Sequence, residues 1–214
     1  MSNALQRQLI SLQESQAVRD NSKILNITVD QVDRKYRVPI DLLKGISNAS
    51  AGINSVSFEY CIFTDEHAKA IQDLDTNSVT FMNGSVSGSA LVLMMPCLQK
   101  AEFLQFNHNI NLGEEDTVEA MCSVLESEKL QTLAVDSNNN TSQENIDQLE
   151  EAYIARKTIL QHFTIRTPRL RARSKSELDA ERVRRAEVVA ILEQKDLPPE
   201  IARKIVGSGL KLRL

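Results

Sequence analysis

Two spacings of apolar residues run along the chain, one suited to helices and one to strands. Leu5, Leu9 and Leu12 recur at helical spacing behind Ser2 and Asn3, which predicts a helix over roughly residues 3–20. "TVDQ", Thr28–Gln31, has the form of a capping box, with Val32 and Tyr36 on one face of a short helix ended by Pro39. "IDLLKGI" adds a helical turn with Gly45 as its stop. The period then becomes two. "SVSFEYCIF" sets Val56, Phe58, Tyr60 and Ile62 against Ser57, Glu59 and Cys61, a strand pattern.

"TDEHAKAIQDL" follows as a helix capped by Thr64, with acids in its first turn. In "SVTFMNGSVSGSALVLMMP" the Asn83-Gly84 pair predicts a type I′ hairpin between two strands, with a bulge at Gly88 and Pro96 as the end. "LQFNHNINL" alternates Leu104, Phe106, His108, Ile110 and Leu112 with Gln105, Asn107, Asn109 and Asn111. It is expected as a strand with a wet Asn face, in competition with a helix over 97–106. "GEEDTVEAMCSVLESEKL" is an amphipathic helix with Val118, Met121, Cys122 and Leu125 on one face.

Beyond this helix, "DSNNNTSQE" is a polar linker. A helix is expected over about 143–163, through Ile146, Leu149, Tyr153, Leu160 and Phe163. Another, "SELDAERVRRAEVVAILEQ", is capped by Ser176, and a last short one follows Pro198-Pro199 and closes at Gly207. No internal repeat is visible. The expectation is an α+β fold: a small, mostly antiparallel β core at about 55–112, flanked by N-terminal helices and a helical C-terminal region. The expected divisions are 1–135, a linker at 136–144, and a basic helical region at 145–214.

Composition narrows this picture. There are 214 residues, no Trp, three Tyr and six Phe, so Leu, Ile and Val must fill the core. Few aromatics argue against carbohydrate or base-stacking sites. The N-terminus lacks a basic region followed by an apolar one, and the longest apolar run, "ALVLMMP", is too short to span a bilayer. With Cys61, Cys97 and Cys122 at wide spacings, a reduced cytoplasmic or other intracellular setting is expected, not a secreted one.

Charge is sorted along the chain. Residues 1–50 carry +2, residues 51–150 carry −13 and residues 151–214 carry +7, for a net −4. No acidic residue stands between Ala152 and Ser176, and "RTPRLRARSK" places Arg166, Arg169, Arg171, Arg173 and Lys175 in ten positions. Arg forks match phosphate oxygens, so this segment is a candidate site for RNA or DNA without sequence preference, or for an acidic protein partner. The acidic helix with Glu114, Glu115 and Asp116, and the apolar Val188, Ile191 and Leu192, are candidate self-association residues that would make a homo-oligomer. Ser174 and Ser176 follow arginines, as arginine-directed kinases prefer.

Catalytic chemistry lacks a pattern. The three His and three Cys form no nucleophile signature, C-x-x-C or H-x-x-x-H, and "GSVSG" lacks the Lys and helix of a phosphate loop. "DEH" at Asp65–His67 points in three directions from a helix start. No metal or cofactor is expected, and no enzymatic activity. The sequence suggests a self-assembling structural protein of coat, nucleocapsid or matrix type, viral ones included. Its alternative is an intracellular adaptor or regulatory subunit that binds a protein partner through the C-terminal helices.

Overall fold

A computed structural model describes residues 10–16, 23–29, 38–48, 53–137, 141–194, 198 and 201. Two compact units divide the chain, Met1–Ala172 and Arg173–Leu214. The polar stretch at 136–144 lies within the first of them.

In the first unit the chain runs β1 (Ile10–Gln16), β2 (Lys23–Val29), α1 (Ile40–Asn48), β3 (Ile53–Glu59), β4 (Ile62–Phe63), α2 (Asp65–Ile71), β5 (Ser78–Met82) and β6 (Ser85–Val86). It continues with α3 (Gly88–Leu98), β7 (Phe103–Asn107), α4 (Glu115–Leu125), β8 (Thr132–Asp136), α5 (Gln143–Ala155) and β9 (His162–Arg166). The sheet order is β1-β2-β3-β5-β7-β8-β9. Every neighbouring pair from β2 to β9 is parallel, and only β1 runs against its neighbour. The fold is therefore of α/β type. The antiparallel core expected over 55–112 is overturned by five consecutive parallel strands, β3 to β9, each reached through a helix.

Register exposes a repeat that residue identities hide. Val56, Val79, Leu104, Leu133 and Phe163 stand opposite one another, as do Phe58, Phe81, Phe106, Val135 and Ile165. All ten are buried. Successive helices pack side by side, α1 on α2, α2 on α3, α3 on α4 and α4 on α5. Parallel strands joined by crossovers of one hand place all these helices on one face of the sheet. The result is a β–α solenoid in which each repeat touches its neighbours. Phe81 stacks on Phe58 at 5.4 Å and on Phe106 at 5.3 Å, with Phe63 edge-on to Phe58 at 4.9 Å. Each such pair adds about 1 kcal/mol beyond the area it buries.

Asn83-Gly84 makes no hairpin. Tyr60, Asn83 and His108 each follow a long strand and each has a left-handed φ, 58°, 54° and 54°. This single left-handed residue bends the chain without reversing it. Pairing then resumes in parallel, with Ser85 N–H on the Cys61 carbonyl at 3.0 Å and Val86 N–H on that of Asn109 at 2.8 Å. The predicted second strand is helix α3. Ser87 caps it by accepting from Ala90 N–H at 3.2 Å. Ala90, Leu91, Met94, Cys97 and Leu98 are buried at helical spacing, Val92 is exposed, and Ala, Leu and Met favour helix.

The N-terminal helices are likewise corrected. Residues 10–16 form β1, and Thr28 and Val29 belong to β2; the rest of the expected helix after "TVDQ" lies outside the described residues before Pro39. Gly45 sits inside α1 rather than ending it. The strand through "SVSFEYCIF" stops at Glu59, and the long helix expected over 143–163 ends at Ala155, with Leu160 buried in the turn and Phe163 in β9. Asn109 is buried rather than wet, because the strand it was assigned to ends at Asn107.

In the second unit, α6 (Lys175–Gln194) is capped by Ser174, not by Ser176. Ser174 Oγ accepts from Glu177 N–H at 3.3 Å and Ser174 N–H donates to Glu177 Oε2 at 2.6 Å, a reciprocal capping box. The last helix expected after Pro199 lies outside the described residues except Ile201.

A Cβ on Gly84 would stand 2.0 Å from the Cys61 carbonyl oxygen, whereas one on Gly45 meets nothing within 4 Å. Gly84→Ala is expected to cost about 3 kcal/mol and Gly45→Ala to gain about 0.8 kcal/mol, read from urea midpoints.

Candidate functional site

Alternation along the strands leaves the sheet face opposite the helices to a second set of side chains. Register orders them in three rows. The first is Ser55, Ser78, Phe103, Thr132 and His162; the second Ser57, Thr80, Gln105, Ala134 and Thr164; the third Glu59, Met82, Asn107, Asp136 and Arg166. None of these fifteen is buried, and His162 and Arg166 are exposed. Hydroxyl and amide groups dominate, with Phe103, Met82 and Ala134 as apolar points. Charge is placed at the ends of the third row, with Glu59 on β3 and with Asp136 and Arg166 on β8 and β9.

Side-chain bonds also join neighbouring strands at their ends. At the strand starts, Asn77 donates to Asn54 at 2.8 Å, Gln131 to Glu102 at 3.1 Å and Gln161 to Gln131 at 2.7 Å. At the strand ends, His108 Nδ1 lies 3.7 Å from Asp136 Oδ1. Thr164 and His162 bond within β9 at 2.9 Å.

Arg166 is the member of the Arg-rich set that lies in a strand, at the end of the third row. Arg169, Arg171 and Arg173 are exposed, and Lys175 is half-buried. The segment is not extended throughout, because Thr167 Oγ donates to the Leu170 carbonyl at 2.7 Å and accepts from Leu170 N–H at 3.1 Å, closing a turn. Lys175 Nζ meets Asp179 Oδ2 at 2.5 Å. Along α6, Arg184 and Arg185 both bond Glu181, at 2.7 and 2.8 Å. The Arg184 hydrogen bond, with that of Arg185, brings the Glu181 carboxyl down to about 2. Arg156, which belongs to the same acid-free stretch, is buried. Its guanidinium donates to the Leu125 carbonyl that ends α4, to the Leu130 carbonyl at 3.1 Å and to Thr158 Oγ1 at 2.8 Å. It is a structural cap.

The candidate self-association residues divide similarly. Glu114 is the N-cap of α4, with Glu115 and Asp116 in its first turn, where carboxylates suit the helix dipole. Asp116 also presses against Gly88 at the start of α3: a Cβ there would meet its Cγ at 2.3 Å. Val188 and Ile191 are half-buried and Leu192 is buried.

Among the described residues no three of His, Cys, Asp and Glu gather as metal ligands. His67 is used in packing: its Nδ1 lies 2.6 Å from Thr64 Oγ1 and its Nε2 3.0 Å from the Val38 carbonyl, joining the start of α2 to the chain before α1. Burial pushes Cys61 and Cys97 up to about 12, and raises Cys122 as well. A thiolate nucleophile needs the opposite shift. Cys122 opens on a cleft of about 360 Å³ between the ends of α4 and α5, rimmed by Glu126, Glu128 and Lys157. Among the described residues no helix is long and apolar enough to cross a membrane. No family model, curated protein or solved structure matches the chain.

In the native protein at pH 8, Cys122 is expected to react with a disulfide reagent while Cys61 and Cys97 react only on unfolding. Both buried thiols hold protons in the folded state between 9.0, their ordinary value, and about 12. Folded chains then bind more protons than unfolded ones, so stability falls as pH rises through that window. Cys97→Ala should flatten the fall, measured as urea midpoint against pH.

Proposed function

We propose that the first unit is a non-enzymatic protein-binding module whose partner docks on the open face of its parallel sheet. The observation that carries this is the division of the sheet. One face is buried under five helices, and the other carries three ordered rows of side chains, none of them buried.

Strands pack about 4.8 Å apart whereas helices need about 8–10 Å, so stacking repeats curves the layer with the sheet on the inner side. Such a surface takes a convex protein element. Its chemistry agrees, since Phe, Met and Arg recur at protein interfaces and the hydroxyls and amides supply directional bonds. Small ligands want an enclosed cleft instead.

The test is capture by cross-linking in extract of the native cells, comparing the wild type with Thr80→Arg/Gln105→Arg on the open face and Lys69→Glu on the helix side. A partner lost only with the open-face variant is expected. A partner retained by that variant, or one removed by nuclease, overturns the proposal.

Four exposed guanidinium groups favour a second contact, between the Arg-rich segment and an acidic polymer. RNA retardation should then fade steeply with salt and vanish when Arg166, Arg169, Arg171 and Arg173 are all changed to Ala. Retardation unchanged in that variant removes the segment from the account.

A further inference from the structure

We infer that Ser174 is a phosphorylation site for an arginine-directed protein kinase. The site is linear and needs only the covalent chain around it. Arg169 and Arg171 stand five and three residues before Ser174, the spacing at which an acidic kinase cleft reads an incoming segment. The same spacing recurs for Ser176, with Arg171 and Arg173. Structure separates the two serines.

Residues 171–174 have no regular secondary structure, and Arg169, Arg171, Arg173 and Ser174 are exposed. The turn that Thr167 closes on Leu170 ends before Arg171. A kinase can therefore draw Arg171–Ser174 into its cleft in extended form. Ser176 lies inside the first turn of α6, so presenting it requires that turn to unwind. The two hydroxyls are 3.0 Å apart, and only Ser174 occupies the junction where irregular chain becomes helix.

The chemistry is a phosphoryl transfer from ATP. Ser174 Oγ gives up its proton, an Oγ–P bond forms, the bond from the terminal phosphorus to its bridging oxygen breaks, and ADP leaves. The product adds a charge of about −2 to a segment with five cations. It also sets that charge against the Glu177 carboxylate, whose Oε2 is 2.7 Å from Ser174 Oγ. Phosphate and carboxylate then compete for the first amides of α6, and the Ser174–Glu177 box opens. Modification thus weakens the cationic segment and remakes the helix start together.

The full chain is incubated with the catalytic subunit of cyclic-AMP-dependent protein kinase, ATP and Mg²⁺, and the modified residue is mapped by mass spectrometry. One phosphate on Ser174 is expected. Incorporation should be lost in Ser174→Ala and in Ser174→Asn, which keeps a helix cap but has no hydroxyl, and retained in Ser176→Ala. Arg171→Ala should slow the rate about tenfold. Incorporation confined to Ser176, or seen only with a kinase directed by the downstream Glu177 and Asp179, overturns the inference.

Discussion

Parallel pairing between strands that follow one another in sequence constrains this molecule most. Each strand must be entered from the same end as the last, so the chain has to return along the sheet before it can pair again. In five of these crossings a helix makes the return, and the common hand of the crossings puts those helices on one side. The inward pairs, from Val56 and Phe58 to Phe163 and Ile165, are then obliged to face helices. The outward rows from Ser55 to Arg166 are left to whatever comes from outside. The core and the proposed docking face are two consequences of one pairing rule.

Details at the strand ends serve the same rule. The left-handed residues Tyr60, Asn83 and His108 start three of these returns at the same register position, and the absence of a side chain at Gly84 lets its backbone lie on that of Cys61. Arg156 does related work further along, holding the end of α4 and the turn before β8 with one buried guanidinium. A buried cation with several carbonyl partners is costly to remove, because those carbonyls lose their donors together.

Elements with strong local chemistry were legible in the sequence. Thr64 and the acids after it marked α2, the acids at 114–116 marked α4, and the alternations around Phe58 and Phe106 marked β3 and β7. Pairing direction was not legible. Asn-Gly supports a reversing turn and a single left-handed bend equally, and only neighbouring strands decide between them. "ALVLMM" is apolar throughout, so period could not separate a buried strand from a buried helix until Ser87 was seen to cap it. The repeat is hidden in the sequence because it consists of two inward apolar positions per strand at uneven intervals, and Val, Leu and Phe fill the first interchangeably. Of the candidate site, Arg166 was singled out for its charge. Its fourteen companions on the open face are ordinary Ser, Thr, Gln and similar residues, which become a surface only once five strands are in register.

A body built from units that lean only on the units beside them has no obligatory centre. Damage to one unit is felt by two others and fades beyond them. Length is equally negotiable: a whole strand-and-helix turn inserted or excised between β5 and β9 would leave the remaining joints as they are. Such an event would widen or narrow the open sheet face by a single column of three residues.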